Sequence, residues 1–128
     1  MPSMQTLRVL PEDYALCRME GNAPWPAAPE GPGFYSATRT GKELSVMCPS
    51  HAAPAGARVQ TGFRCLEVEG PFELTSVGVV ASLTAPLARA GISVFAMSTF
   101  DTDYLLVKEE TLEAAIRALE GDGHKVRR

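Results

Sequence analysis

The chain has 128 residues, of which 45% are hydrophobic and 21% charged, and its formal net charge is −3. This length suits one compact domain, or two small units that share a core. Outside a locally basic tail at Lys125, Arg127 and Arg128, its basic residues are scattered singly. This argues against nucleic acid as a partner, because nucleic-acid binding depends on clustered Lys and Arg.

The sequence also lacks the features of exported and membrane proteins. No apolar run approaches the roughly 18 residues that a membrane span needs, and the first residues lack the basic start and apolar core of a signal peptide. Three widely spaced cysteines, an odd number, favour reduced thiols over a disulfide framework; they are Cys17, Cys48 and Cys65. We therefore expect a cytoplasmic protein with no membrane contact.

The chain begins with two β-rich runs followed by a proline-rich loop. Leu7–Leu10 and Tyr14–Met19 are predicted strands, separated by a turn at Pro11–Asp13. Residues 21–33 contain four prolines, which supply no amide donors, so this segment is a predicted loop. Trp25 lies in it, and we expect its ring to be buried and to hold the loop against the body.

A hairpin and a short helical turn follow the loop. Phe34–Arg39 and Glu43–Met47 are its predicted strands, with Gly41 supplying a positive φ at the turn. Ser50–Ala55 is predicted to form one helical turn.

The second half of the chain is more regular. Phe63–Glu69 is a predicted strand, and a helix is expected from Ser76 to Gly91, with Thr75 or Ser76 as its cap. Its apolar residues recur at three- and four-residue steps, which is helical spacing: Val80, Leu83 and Leu87.

The chain ends with a predicted antiparallel pair, a helix and a short strand. Ile92–Thr99 and Tyr104–Val107 form the pair, and Lys125–Arg127 is the last strand. The helix between them is marked by four apolar residues, Leu112, Ala115, Ile116 and Leu119. The order β-α-β-β-α-β is that of the ferredoxin-like split βαβ, so we expect an α+β fold.

A resemblance supports this fold. The segment from Phe63 to Leu119 reads FRCLEVEGPFELTSVGVVASLTAPLARAGISVFAMSTFDTDYLLVKEETLEAAIRAL. This segment resembles the ACT domains of small tandem-ACT proteins. Those proteins are akin to the regulatory domains of aspartate kinases and to cytosolic arginine sensors. The resemblance implies an ACT domain at residues 61–128, preceded by a degenerate ACT-like half at residues 1–60, with the two sheets side by side. It also implies an amino-acid-binding regulatory fold with the ligand held where ACT units meet.

The predicted helix start is one candidate part of a site. The first amides of a helix have no partner within it and carry partial positive charge, so they can accept a carboxylate. The residues concerned are Ser76, Val77, Gly78 and Val79. An ordinary capped helix start explains the same residues equally well.

The acidic turn at residues 100–103 is the other candidate part. The resemblance to the arginine sensors implies ligand contacts at Thr99, Phe100 and Asp103, with the carboxylate meeting an amino or guanidinium group. Asp101 and Asp103 are otherwise explained as turn residues that hydrogen-bond their own backbone.

Cys48 and His51 form a competing pair. A thiol and an imidazole three residues apart can serve as metal ligands or as a nucleophile and its base. Neither further ligands at convincing spacing nor an orienting acid is indicated, so we predict no catalytic residue, metal or cofactor.

The leading hypothesis is a non-catalytic protein that binds a small amino acid, forms a homodimer and regulates an enzyme. The alternatives are an ACT-fold interaction module without a ligand, and an enzyme built on Cys48 and His51.

Overall fold

The computed structural model describes residues 4–69 and 77–128. Within these ranges the strands are β1 Thr6–Glu20, β2 Ser36–Arg39, β3 Glu43–Pro49, β4 Arg58–Val68, β5 Phe95–Ser98, β6 Asp103–Lys108 and β7 Lys125–Arg127. The α-helices are α1 Val79–Arg89 and α2 Leu112–Gly121, and single 3₁₀ turns lie at Ser50–Ala52 and Glu109–Thr111.

The described residues group into two compact units. One comprises Met1–Leu10 with Arg64–Arg128, and the other comprises Pro11–Phe63. The predicted division into residues 1–60 and 61–128 stays a prediction.

The larger unit confirms the predicted ferredoxin-like fold. Its elements follow the order β4-α1-β5-β6-α2-β7, and its strands lie in the order β7-β1-β4-β6-β5. The start of β1 runs parallel to β7, with Thr6 opposite Lys125. β5 and β6 are antiparallel, with Phe95 opposite Leu106. The start of the chain therefore completes the sheet of this unit.

The two helices cover this sheet through their periodic apolar residues. Leu83 and Leu87 of α1 are buried, and so are all four predicted residues of α2: Leu112, Ala115, Ile116 and Leu119. They pack with Leu66, Val68 and Leu105 in one core. Val80 was expected on the same face but is exposed, because it lies in the first turn of α1, where Val79 packs against the core instead.

The smaller unit contains the predicted hairpin. β2 and β3 are antiparallel, and β3 also pairs with the end of β1. The prediction for Gly41 is wrong: it has no positive φ. The turn is held by the hydroxyl of Thr40, which accepts hydrogen bonds from the amides of Lys42 and Glu43 at 3.1 and 3.2 Å.

Three predicted features differ from the structure. The turn at Pro11–Asp13 is absent, and β1 is continuous from Thr6 to Glu20, because an exposed proline is tolerated in a strand where no ladder donor is needed. β4 begins at Arg58, five residues before the predicted Phe63. Trp25 is 59% exposed rather than buried.

The exposed ring of Trp25 is held by a cation. The guanidinium of Arg39 lies 4.5 Å from the ring centroid and hydrogen-bonds the carbonyls of Gly21 and Ala23 in the proline-rich loop. Arg39 therefore holds both the loop backbone and the indole ring in place, although the ring is exposed.

Candidate functional site

Helix α1 begins three residues after its predicted start. Its N-cap is Gly78, with φ 84° and ψ 6°, and no capping hydrogen bond from a side chain occurs there among the described residues. The prediction of a cap at Thr75 or Ser76 is therefore wrong, although both residues lie outside the described ranges. The left-handed φ suits glycine, which has no Cβ to clash.

The start of α1 offers donors to a ligand. The first hydrogen bond that enters the helix runs from the amide of Ser82 to the carbonyl of Gly78, at 2.9 Å. The amides before it have no acceptor within the helix. Val77 is 91% exposed, so a ligand has access to this end.

The turn between β5 and β6 is tied together by its own residues. The amide of Thr99 donates to the carbonyl of Thr102 at 2.8 Å, and the amide of Thr102 donates to the Thr99 hydroxyl at 3.3 Å. Asp103 is only 8% exposed, and its Oδ1 accepts a 2.6 Å hydrogen bond from the Ser98 hydroxyl. Phe100 is 80% exposed. One oxygen of Asp103 is therefore already used within the protein.

A cleft of about 430 Å³, hereafter the α1 cleft, runs along α1 in the larger unit. One side of it is formed by Val77, Gly78, Ala81, Ser82, Ala85 and Arg89, and the other by Met4, Asp122 and His124. The α1 cleft thus contains two residues of the predicted helix-start site, and its lining includes none of the predicted turn residues.

His124 lines the α1 cleft and bridges two elements. Its Nδ1 accepts a hydrogen bond from the amide of Gln5 at 3.0 Å, and its Nε2 lies 2.9 Å from the carbonyl of Ser82. That carbonyl has no helical donor, because the residue four positions on is Pro86, which lacks an amide hydrogen. Because Nδ1 accepts from Gln5, Nε2 is the nitrogen that donates to the Ser82 carbonyl.

A second cavity, of about 490 Å³, lies beside the turn. Its lining includes Glu67, Glu69, Tyr104 and Arg127. Glu69 pairs with Arg127, and Glu67 accepts a 3.0 Å hydrogen bond from Tyr104. Burial, followed by this bond, raises the pKa of Tyr104 to about 12. Both glutamates therefore have partners within the larger unit.

The geometry does not support a nucleophile at Cys48. Its thiol is fully buried and close to that of Cys17, and burial, together with Cys17, raises the pKa of Cys48 to about 12. Such a thiol stays protonated at neutral pH, whereas the thiolate is the nucleophile. His51 is exposed, and no group of three or more metal-ligating side chains occurs in residues 4–69 and 77–128.

The fold belongs to a known class. A family model described as ACT domain matches residues 58–121, and a second model, for an N-terminal domain, matches residues 12–55. The chain belongs to the ACT domain family. None of the helices that the structure describes is both long and apolar enough to cross a bilayer.

Particular relatives extend this assignment. The chain is 31% identical over 114 residues to the cytosolic arginine sensor for mTORC1 subunit 1 of Bos taurus, a match that covers 89% of this chain. It spans only 29% of the length of that relative.

Solved structures show the same fold. A crystal structure of a protein from Agrobacterium tumefaciens is 37% identical, with a TM-score of 0.88, covering 97% of this chain and 92% of that one. The regulatory subunit of aspartate kinase from Thermus thermophilus is 12% identical, with a TM-score of 0.63, covering 91% of this chain and 95% of that one. At this identity the second match shows the fold alone.

Proposed function

We propose that this protein is a non-catalytic, amino-acid-binding regulator that acts in the cytoplasm. The observation that carries the proposal is the ACT family match over the unit that folds as βαββαβ. It is supported by the relative that is named as an arginine sensor and by the fold shared with an aspartate kinase regulatory subunit. An enzyme whose product or precursor is the bound amino acid is the partner class that fits this role.

The ligand's carboxylate is proposed to bind the start of α1, at Ser76, Val77, Gly78 and Val79. The exposure of Val77 and the free amides of the first helical turn support this placement. A carboxylate at a helix start is favoured by both the donors and the helix dipole.

The ligand's amino group is proposed to bind the turn at Thr99, Phe100 and Asp103, where ACT units of a homodimer meet. The hydrogen bond from Ser98 uses Oδ1 of Asp103, so Oδ2 is the oxygen proposed for the ammonium. The ring of Phe100, exposed beside it, suits the aliphatic part of a ligand.

Isothermal titration against each of the twenty amino acids tests the function. At least one of them should bind saturably and raise the melting temperature, whereas no heat and no thermal shift with any of them contradicts the proposal.

Two matched turn variants test the placement. Asp103→Asn should weaken binding by about 10–150-fold, since charge-assisted hydrogen bonds contribute about 1.5–3 kcal/mol. Asp101→Asn alters an exposed acid of the same turn and should leave the affinity unchanged. Equal affinities of the two variants contradict the role of Asp103.

A second function is favoured by Trp25. An exposed indole in a proline-rich loop is typical of a protein–protein contact, because large aromatic side chains dominate interface energetics. An ACT-fold interaction module predicts a partner that binds equally with and without amino acids and is lost in Trp25→Ala. Binding that depends on an amino acid and survives Trp25→Ala excludes it.

A further inference from the structure

A cavity of about 380 Å³, hereafter the arginine cavity, lies on the sheet of the smaller unit. Its lining comes from three strands that are neighbours in the order β3-β1-β4. The volume falls within the range of small-molecule sites. The lining includes Leu16 and Arg18 of β1, Glu43 and Ser45 of β3, and Arg58 and Gln60 of β4. Polar and charged groups therefore surround a space of metabolite size.

The polar lining follows from strand alternation. Successive side chains of a strand point to opposite faces of the sheet. Leu44 and Val46 of β3 are buried in a core cluster of the smaller unit. Glu43 and Ser45 therefore lie on the opposite face, where both are half-buried. Arg18 of β1 lies opposite Ser45 in the ladder and shares this face, so the groups of the arginine cavity lie away from that core cluster.

Arg18 is held in place and still has donors for a ligand. Its Nη1 donates to the carboxylate of Glu20 at 3.0 Å, and its Nη2 donates to the carbonyl of Lys42 at 3.2 Å. A guanidinium has more N–H groups than these two contacts use. The side chain is 39% exposed, so a ligand can reach the remaining donors. Arg18 therefore presents an ordered cation to the arginine cavity.

Three other side chains of the lining are uncommitted. Among residues 4–69 and 77–128, the side chains of Glu43, Arg58 and Gln60 make no hydrogen bond or ion pair. Arg58 and Gln60 are exposed, and Glu43 is half-buried. The arginine cavity therefore offers a ligand the guanidinium groups of two arginines, a carboxylate and an amide, beside the aliphatic side chain of Leu16.

These groups complement a phosphate that is joined to neutral hydroxyl groups. The planar fork of a guanidinium matches phosphate oxygens, and a phosphate ester carries a charge of about −1.5 to −2 at pH 7. A carboxylate repels such an anion but accepts hydrogen bonds from sugar hydroxyls, as at the ribose of dinucleotide sites. We propose that the arginine cavity binds a phosphate monoester that carries a vicinal diol, with the phosphate on Arg18 and Arg58 and the diol on Glu43. This site is independent of the proposed amino-acid site, because the two use different residues.

Calorimetric titration with AMP and with ribose 5-phosphate tests the chemistry and its source. Both compounds carry the phosphate and the diol, so at least one of them should bind saturably. Tighter binding of AMP assigns a nucleotide, whereas equal or tighter binding of ribose 5-phosphate assigns a free sugar phosphate. If neither compound binds at millimolar concentration, the proposal is wrong.

Analogues that lack one group test each half of the ligand. Inorganic phosphate and the unphosphorylated form of the ligand should each bind about tenfold or more weakly than the ligand. The 2-deoxy analogue lacks one hydroxyl of the diol and should also bind about tenfold more weakly. An affinity for inorganic phosphate or for the 2-deoxy analogue that equals that of the ligand overturns the proposal.

Matched variants test the location. Arg58→Gln should weaken binding of the phosphate ester about tenfold or more. Lys42→Gln removes an exposed cation of the same unit that lies outside the lining, and it should leave the affinity unchanged. Glu43→Gln should weaken binding of the ligand more than that of its 2-deoxy analogue, because the analogue already lacks one of the hydroxyls that the carboxylate accepts.

The outcomes separate this site from the proposed function. If Arg58→Gln and Glu43→Gln bind the phosphate ester as the parent does, the ligand lies elsewhere and the cavity proposal is wrong. Equal losses in Arg58→Gln and Lys42→Gln would reduce the effect to net charge and also contradict it. Titrations with amino acids decide the proposed function separately, since none of these variants alters the start of α1 or the turn at residues 99–103.

Discussion

Replacing His124 with Ala removes the imidazole that joins helix α1 to the residue before strand β1. Two backbone groups lose their partner: the amide of Gln5 and the carbonyl of Ser82. The second loss is particular to this sequence, because Pro86 has no amide hydrogen with which to replace the imidazole.

The loss of unfolding free energy in His124→Ala follows from these two backbone groups. An unsatisfied buried donor or acceptor costs about 1–3 kcal/mol, and both residues are half-buried, so the lower part of this range applies to each. His124→Ala should therefore lower the free energy of unfolding by about 2–4 kcal/mol. With an m-value of roughly 2 kcal/mol/M, the urea midpoint should fall by about 1–2 M.

A double-mutant cycle with Pro86→Ala isolates the Ser82 contact. Alanine at position 86 restores the amide that α-helical geometry directs at the Ser82 carbonyl. In that background, His124→Ala should cost about 1–2 kcal/mol less than in the parent. Urea denaturation followed by circular dichroism gives the four unfolding free energies.

Additivity would refute this reasoning. If His124→Ala costs the same in both backgrounds to within about 0.5 kcal/mol, the imidazole does not replace the missing amide. His51→Ala is the matched control, since His51 is exposed, and it should change the unfolding free energy by less than about 0.5 kcal/mol.

Three further predictions concern other side chains. The thiol of Cys48, with its pKa raised to about 12, should resist alkylation at pH 8 until the protein unfolds. The stability that this buried thiol contributes should be complete below about pH 9 and be lost as the pH rises towards about 12. The reason is that the thiol of the unfolded chain ionises at a lower pH than that of the folded protein. Absorbance at 295 nm should show a component that titrates near pH 12 and is lost in Tyr104→Phe. The same variant should lower the unfolding free energy by about 0.5–1.5 kcal/mol through loss of the Glu67 contact. The single Trp25 should be strongly quenched by acrylamide in the native protein, whereas weak quenching would place its ring in the interior.

Periodicity predicted the parts of the fold where one face is buried. Ala115, Ile116 and Leu119 lie on the core face of α2, as their spacing indicates, because helical geometry alone brings them together. Proline and glycine were less reliable as boundary signals. Pro11 interrupts no strand, and the hairpin turn at Gly41 forms without a positive φ, because the Thr40 hydroxyl holds it.

Long-range contacts could not be read from local patterns. His124 meets the Ser82 carbonyl across 42 positions of the chain, and Arg89 meets Asp122 across 33. The helical spacing of α1 predicted its buried face, but its exposed small residues form a cleft only because Met4 and Asp122 are brought opposite them. A partial signal for the His124 contact is present in the sequence: Pro86 inside a helix predicts an unpaired carbonyl four residues earlier.

The central claim is that this ACT protein binds a free amino acid at the start of α1. Amide chemical shifts of the labelled protein, followed while each of the twenty amino acids is added, test it most directly. The account predicts that at least one amino acid shifts the amides of Val77, Gly78 and Val79 in a saturable way. Amide positions that stay fixed with all twenty at millimolar concentration would contradict it.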